Sequence, residues 1–182
     1  MKPLPRKKCR MCPTEFDQWD SRQVVCSPVC AMNLIKQKEV HRRIKETAQM
    51  KKAFLLKDRS YQLKLAQTAF NAFIRERDKD LPCISCQRHH DGQYHAGDFR
   101  SVGGNSSSLR FEEKNCFKQC SACNLHLSGN ILEYRIQLKR LHGASLVKWL
   151  EGPHKPMKYT LDEIIEIKDT YRRKLKDLKN DR

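Results

Sequence analysis

Two cysteine pairs near the middle of the chain, Cys83-Ile84-Ser85-Cys86 and Cys120-Ser121-Ala122-Cys123, decide how the protein can fold. Thiolates separated by two residues can turn toward one tetrahedral ion, and two such pairs complete a four-sulfur zinc shell. An earlier set with similar spacing comprises Cys9, Cys12, Cys26 and Cys30. We predict a structural zinc ion at each set, although four cysteines also fit an iron–sulfur cluster.

The composition explains why the fold would need metal. Hydrophobic residues make up 38% of the 182 residues, whereas globular domains usually contain about 45–50%. Bound zinc would replace part of the missing core with a folding free energy of about 10 kcal/mol or more. No secretory segment is apparent, so we expect the nine cysteines to be reduced thiols. Cys116 is either a spare buried thiol, which we favour, or an alternative ligand.

The charge indicates a polyanionic partner. The chain carries 37 Lys and Arg against 21 Asp and Glu, which gives a formal net charge of +16. Such a field attracts nucleic acid, although a merely soluble basic protein would have the same composition. No apolar stretch approaches the roughly 20 residues of a membrane span, so we expect a cytoplasmic protein. The candidate DNA-binding residues are Arg42, Arg43, Lys51, Lys52, Arg100 and Arg110.

The sequence suggests four segments. Residues 1–35 form an N-terminal zinc-binding module, and residues 36–59 form a basic helical connector that becomes ordered on a partner. Residues 60–142 form the core with a preceding helix, and residues 143–182 form a C-terminal helical segment.

Apolar spacing of three to four residues predicts several helices. The first would begin at Ser60 as its N-cap and reach about Lys79, and others are expected over 131–141 and near 144–150. Thr160 and Glu163 form a capping box for a last helix to about Lys179, whose aliphatic stripe is either core or a dimer face. The glycine- and serine-rich stretch 103–108 is predicted to be a flexible loop.

A polar cluster is expected beside the central cysteines. In a treble-clef arrangement the last cysteine pair opens a helix, so Asn124 and His126 would face back across a hairpin that carries His95 and Asp98. Imidazole, carboxylate and amide oxygen suit a hard divalent ion with open positions. One imidazole could activate a water for attack on phosphorus, and His126 is either a ligand or a partner of one. These residues favour a phosphodiesterase that acts on nucleic acid.

A resemblance to a known family is carried by residues 71–78, 83–86, 95–100, 109–111, 115 and 120–130. These segments resemble the NinG family, also called Rap, which contains recombination proteins of lambdoid phages, and the likeness covers most of the chain. The resemblance implies an endonuclease that cuts Holliday junctions, D-loops and related branched DNA. It also implies an α+β fold, in which helices flank a small zinc-stabilised ββα-metal core similar to HNH nucleases and phage endonuclease VII.

The resemblance also assigns roles to single residues. Asn124 matches the asparagine that binds the catalytic ion in endonuclease VII, and Asn115 matches the middle asparagine of the HNH pattern, which holds a loop. Most family members have His where this chain has Asp98, so the roles of the two side chains stay open. Asp98, or alternatively His95, is expected to bind the ion together with Asn124, and His95 is the candidate base. An ordinary carboxylate with a pKa of about 3.9 is a poor base near neutral pH. Joining His95 and Asp98 at one point needs a bend or bulge, because strand positions three apart face opposite sides. The zinc shell would be Cys83, Cys86, Cys120 and Cys123.

The leading hypothesis is a structure-selective DNA endonuclease that uses Mg²⁺, or Mn²⁺, in the cytoplasm of a bacterial host. A second hypothesis is a zinc-dependent protein that binds branched DNA but is catalytically impaired by Asp98. A third is an RNA-binding or ribosome-associated zinc protein. The expected partners are branched DNA, a second copy of the chain that matches the two symmetric cuts of a four-way junction, and a phage or host recombinase.

Overall fold

The computed structural model describes residues 6–180. These residues divide into two compact units, with the boundary along the chain between Leu55 and Leu56. The first unit contains strands β1 (Arg6–Lys8) and β2 (Glu15–Asp17), which pair antiparallel, and most of helix α1 (Pro28–Lys57). The second contains helix α2 (Arg59–Arg77), strands β3 (Tyr94–Asp98) and β4 (Cys116–Cys120), and helices α3 (Ile131–His142), α4 (Ala144–Glu151) and α5 (Leu161–Asn180). Helices with two small antiparallel sheets confirm the α+β class.

Helix α1 is longer than the predicted connector. It begins at Pro28, a residue suited to the first helical position because its missing N–H needs no partner there. The hydroxyl of Ser27 accepts a hydrogen bond from the backbone N–H of Cys30 at 3.3 Å. The predicted boundary between residues 35 and 36 therefore falls inside a continuous helix, none of whose residues is buried.

Helices α2 and α5 pack against each other in the second unit. The carboxylate of Asp58, rather than the predicted Ser60, caps α2 by accepting from the N–H of Tyr61. The predicted capping box of α5 is confirmed, since Glu163 accepts from the Thr160 N–H at 2.7 Å and donates its own N–H to the Thr160 hydroxyl at 3.3 Å. The aliphatic stripe of α5 is core within the chain. The buried cluster between the two helices comprises Ala69, Phe70, Phe73, Ile74, Cys116 and Tyr171.

Strands β3 and β4 form a regular antiparallel hairpin. Five consecutive residue pairs run from Tyr94 opposite Cys120 to Asp98 opposite Cys116, without a bulge. One face of the hairpin contacts the α2–α5 cluster through Cys116. Phe117 on the other face packs into a second buried cluster, which comprises Ile84, Phe99, Leu109, Phe117, Tyr134, Leu138, Val147 and Leu150.

The outer side of β4 is bonded to groups outside the sheet. Asp78, at the end of α2, accepts from the N–H of Lys118 at 3.0 Å, and Arg77 donates to the carbonyl oxygen of Cys116 at 2.9 Å. The N–H of Ile84 donates to the carbonyl oxygen of Lys118 at 2.9 Å. These bonds attach the strand to the end of α2 and to the loop that carries the first central cysteine pair.

The connections differ from expectation at one place. The stretch predicted as a flexible loop forms a 3-10 helix, Gly104–Leu109, and a second short one follows at Glu113–Asn115. Leu109 is buried in the second cluster, together with Phe99 and Tyr134, which explains why the segment is ordered. Within residues 6–180, no helix is both long enough and apolar enough to cross a membrane.

Candidate metal centres and active site

The four central cysteines come together as the spacing predicts. Cys83 and Cys86 lie in the loop after α2, Cys120 ends β4, and Cys123 lies in the helical turn Ala122–His126. Their sulfurs all lie within 4.8 Å of one another, and those of Cys86 and Cys120 are 4.0 Å apart. Ligands on a tetrahedral zinc ion with bonds of about 2.3 Å are about 3.8 Å apart, so this set fits zinc.

Backbone N–H groups favour the thiolate form of one ligand in this cluster, Cys83. Burial raises the pKa of the Cys83 thiol, but N–H groups of Cys120, Cys86 and Ser85 outweigh burial and bring the pKa below its ordinary value. The Cys120 N–H lies 3.3 Å from the Cys83 sulfur. Hydrogen bonds of this kind favour the thiolate, which is the form that binds zinc.

The N-terminal set has the same character despite its less regular spacing. Cys9 and Cys12 lie in the β1–β2 turn, and Cys30 lies in the first turn of α1. The sulfur of Cys26 is 3.5 Å from that of Cys12 and 3.7 Å from that of Cys30. These separations also fit a tetrahedral zinc shell.

His95 and Asn124 lie on one face of the β3–β4 hairpin. A Cβ atom at Gly97 would be 3.0 Å from the side-chain oxygen of Asn124, so this amide lies against the face that Gly97 shares with His95 two positions away. His95 Nε2 is 3.1 Å from the hydroxyl of Ser121, which donates to the carbonyl oxygen of Gln93 at 2.8 Å. Because that hydroxyl has already used its proton, His95 Nε2 must donate, which leaves the lone pair on Nδ1.

Asp98 lies on the opposite face of the hairpin. The regular pairing contains no bulge, so positions 95 and 98 point to different sides, and the structure does not bring Asp98 to Asn124. Its carboxylate instead forms a hydrogen bond with the Cys116 thiol. Burial raises the pKa of Asp98 to about 6, against the lowering effects of Cys116 and Arg110. The carboxyl is therefore more basic than the sequence suggested, but it does not share a face with the amide.

The side chain of Asn115 forms hydrogen bonds with the backbone that follows β3. Its amide is fully buried, accepts from the N–H of Arg100 at 2.8 Å and donates to the carbonyl oxygen of Arg100 at 3.0 Å. This paired contact fixes the turn that follows Asp98. The side chain thus acts on the backbone and not on the face that holds His95.

The other predicted residues are spread over the surface. His126 is exposed, and within residues 6–180 it belongs to neither group of His, Cys, Asp and Glu that could hold an ion, as is also true of His95 and Asp98. Arg110 donates to Gln67 on α2 at 3.3 Å. Along α1, glutamates of the same helix form ion pairs with Arg42 and Arg43, whereas Lys51 and Lys52 are exposed.

Sequence reasoning missed three contacts at these sites. Ser121 orients His95, and its position beside Cys120 on the β4 side of the hairpin was the available signal. His90 Nε2 lies 3.2 Å from the Cys86 sulfur, a hydrogen bond to the zinc cluster that its spacing alone does not reveal. Gln119 is buried beside Gly97 and Asn124, and nothing in the sequence distinguished it from other polar residues.

These features define a class: a basic α+β protein with two four-cysteine clusters that could each hold a metal ion. One of the clusters adjoins a hairpin with an imidazole and an amide on the same face. The family described as bacteriophage lambda NinG protein matches residues 1–181. The chain belongs to the NinG family.

Curated relatives agree with this assignment. The chain is 40% identical over 197 residues to Protein ninG of Escherichia phage 933W, a match that covers 97% of this chain and 96% of that protein. It is also 40% identical over 199 residues to Protein ninG of Escherichia phage lambda, with 97% and 95% covered. Protein ninG of Salmonella phage P22 is similar at the same identity. No solved structure matches the chain.

Proposed function

We propose that this chain is a structure-selective DNA endonuclease that cuts branched intermediates, such as Holliday junctions and D-loops, in phage homologous recombination inside the bacterial host. Membership of the NinG family supports the proposal, as does the net charge of +16. The observation that carries it is the placement of the His95 imidazole and the Asn124 amide on the same face of a zinc-cluster hairpin.

The local fold supports a ββα-metal nuclease of the treble-clef, HNH-like type. A two-stranded hairpin ends at Cys120, and the chain turns at once into the helical segment that carries Cys123 and Asn124. The cysteine cluster fixes this segment against the hairpin. Asn124 therefore gains a defined position from being next to a zinc ligand, as a catalytic site requires.

His95 is the proposed general base. Its Nε2–H is held by Ser121, so the ring orientation is set and Nδ1 keeps the lone pair that can take a proton from water. Asp98 is not needed for this step, since it lies on the other face of the hairpin.

Asn124 is the proposed protein ligand of a divalent ion. The described face offers an amide oxygen and an imidazole, while Asp98 lies on the other face, so the residues fit an ion that takes most of its ligands from water and DNA phosphate. Such an ion, Mg²⁺ or Mn²⁺, would stabilise charge on the scissile phosphate. Asn124 would position that phosphate relative to His95.

Recognition would rest on charge and branch shape. Lys51 and Lys52 on α1 and the arginines Arg42, Arg43, Arg100 and Arg110 would contact phosphates, which gives affinity without reading bases. Affinity should then fall steeply with salt. A homodimer and a recombinase partner belong to this proposal as further expectations.

A second candidate function is branched-DNA binding without efficient cutting. It is favoured by one observation, the burial of Asp98 against Cys116, at the position where the resemblance expects a catalytic histidine. Asp98→His would test this alternative, because a large gain in cleavage rate would show that the native site is impaired.

The deciding experiment uses a synthetic four-way junction with purified protein in Mg²⁺ or Mn²⁺. We expect nicks near the branch point, no cutting of a linear duplex of the same sequence, and loss of cutting in Asn124→Ala with nearly unchanged junction binding. A matched control is Asn180→Ala, an exposed asparagine at the end of α5. If the wild-type protein binds the junction but never nicks it with either ion, the enzyme proposal fails. Equal affinity for linear RNA would instead support the RNA-binding hypothesis.

A further inference from the structure

Gln119 carries an unusual buried oxygen. Its side chain is fully buried in the middle of the β4 strand, and its Nε2 donates to the Ser85 hydroxyl at 2.6 Å and to the carbonyl oxygen of Gly129. Among the buried side-chain atoms of residues 6–180, Gln119 Oε1 is the oxygen without a hydrogen-bond partner. A buried acceptor in this state is costly, so it calls for an explanation in the structure.

The orientation of this amide is determined by its neighbours. The carbonyl oxygen of Gly129 can only accept, so the NH₂ end of Gln119 must face it. Oε1 consequently points the other way, toward Gly97. A Cβ atom at Gly97 would lie 2.2 Å from this oxygen, and the Asn124 side-chain oxygen would lie 3.0 Å from the same Cβ. The two side-chain oxygens therefore both lie close to the same point above Gly97.

Two carbonyl oxygens that approach each other repel. The oxygen and the NH₂ group of an asparagine amide have nearly the same shape, so either group can occupy the same place. A half-turn of the Asn124 amide about its last bond would present its NH₂ group to Gln119 Oε1. The turned amide would point its own oxygen away from Gln119. That single change gives the orphan acceptor a donor and directs the Asn124 oxygen outward.

We infer that Gln119 is a positioning residue for Asn124: its Oε1 accepts a hydrogen bond from Asn124 Nδ2 and thereby holds the Asn124 oxygen toward the divalent ion. This inference rests on the proposed function for the part that concerns the ion. The link also joins the site to both zinc loops, since Ser85 lies between Cys83 and Cys86 and Gly129 follows Cys123. Gly97 in β3 leaves room for both amides, because a Cβ atom at this position would lie against the oxygens of Gln119 and Asn124.

Two substitutions at position 119 separate the roles of its oxygen and its NH₂ group. Gln119→Glu keeps an acceptor for Asn124 and loses the donor to Ser85 and Gly129, whereas Gln119→Met loses both. Ser85→Ala is the matched control, because it removes one partner of the NH₂ group and leaves the oxygen in place. Thermal melting and zinc content would show that each variant is folded.

The first readout is the side-chain NH₂ signal of Asn124 in ¹⁵N-labelled protein, identified by its absence in Asn124→Ala. We expect exchange of these protons with water to be about tenfold faster in Gln119→Met than in the wild type, as loss of one hydrogen bond implies. Gln119→Glu and Ser85→Ala should stay close to the wild-type rate. An Asn124 signal that does not respond to Gln119→Met would overturn the inference.

The second readout is the Mn²⁺ concentration needed for half-maximal cleavage of a four-way junction. It should rise about tenfold in Gln119→Met and recover in Gln119→Glu, since one hydrogen bond corresponds to about that factor. Junction binding in buffer without added Mn²⁺ or Mg²⁺ should be unchanged. A fall in maximal rate with no change in the Mn²⁺ requirement would count against a positioning role. If the wild-type protein does not cut, the proposed function fails, while the exchange measurement still decides whether Gln119 holds Asn124.

Discussion

Replacing Gly97 by alanine should destabilise the hairpin although glycine is not required by the backbone at this position. The added Cβ would lie 2.2 Å from Gln119 Oε1, 3.0 Å from the Asn124 side-chain oxygen and 3.1 Å from Gln119 Cβ. Gln119 cannot move aside freely, because its NH₂ group is bonded to Ser85 and Gly129 in a fully buried place.

The expected loss of stability follows from the overpacking at Gly97 and the displacement of Gln119. Overpacking a buried position costs about 1–3 kcal/mol, and displacing Gln119 would weaken hydrogen bonds worth about 1 kcal/mol each. We therefore expect Gly97→Ala to lower the free energy of unfolding by about 2–4 kcal/mol. The assay is urea unfolding in zinc-containing buffer, followed by circular dichroism.

Gly92→Ala and Gly103→Ala are the controls, since a Cβ at either glycine meets nothing within 4 Å. Both should change the free energy of unfolding by less than about 0.5 kcal/mol. In a double-mutant cycle, Gln119→Ala should relieve part of the cost of Gly97→Ala, because the clashing oxygen is gone. If Gly97→Ala is as stable as Gly92→Ala, the described packing of Gln119 and Asn124 above Gly97 is wrong.

Three further predictions test other parts of the fold. Cys83→Ser should abolish zinc binding at the central cluster and unfold residues 81–130, and unchanged thermal melting with unchanged zinc content would contradict this. Asp98→Asn should raise the free energy of unfolding by about 1–2 kcal/mol at pH 8 and by about half as much at pH 5. The reason is that the folded-state pKa of Asp98, about 6, lies above the ordinary 3.8. The carboxyl therefore favours folding fully below pH 3.8, and this contribution is lost as the pH rises from 3.8 to 6. A pH-independent difference in urea unfolding would refute the prediction. Thr160→Ala should cost about 1 kcal/mol by removing the cap of α5, measured as a lower urea midpoint, whereas Thr68→Ala on the exposed side of α2 should cost less.

Much of the fold could be predicted because its signals are local. The cysteine spacing fixed both four-sulfur clusters, and the periodic apolar residues predicted helices α2 to α5 to within a few residues. The N-cap of α2 was misplaced because Asp58 and Ser60 are both good capping residues two positions apart. The ordered 3-10 segment was missed since its order depends on burial of Leu109 against elements distant in the sequence.

The candidate site was harder to predict because it depends on strand register. The sequence grouped His95 and Asp98 with Asn124, but each side chain could be assigned to a face only once the hairpin was known to pair without a bulge. Its raised pKa is equally invisible in the sequence, because the cause is burial beside Cys116. Gln119 became noticeable only through the hydrogen bond that its oxygen lacks.

The hydrogen bonds along the outer side of β4 affect whether copies of this protein associate with one another at high local concentration. An unprotected edge of a two-stranded sheet is a template for strand addition by another molecule and so for aggregation. Here the main-chain groups that such a strand would seek are already engaged by Arg77, Asp78 and Ile84, and the N–H of Cys120 faces the Cys83 sulfur. Copies of the protein at high local concentration are therefore not expected to join through this edge of the sheet.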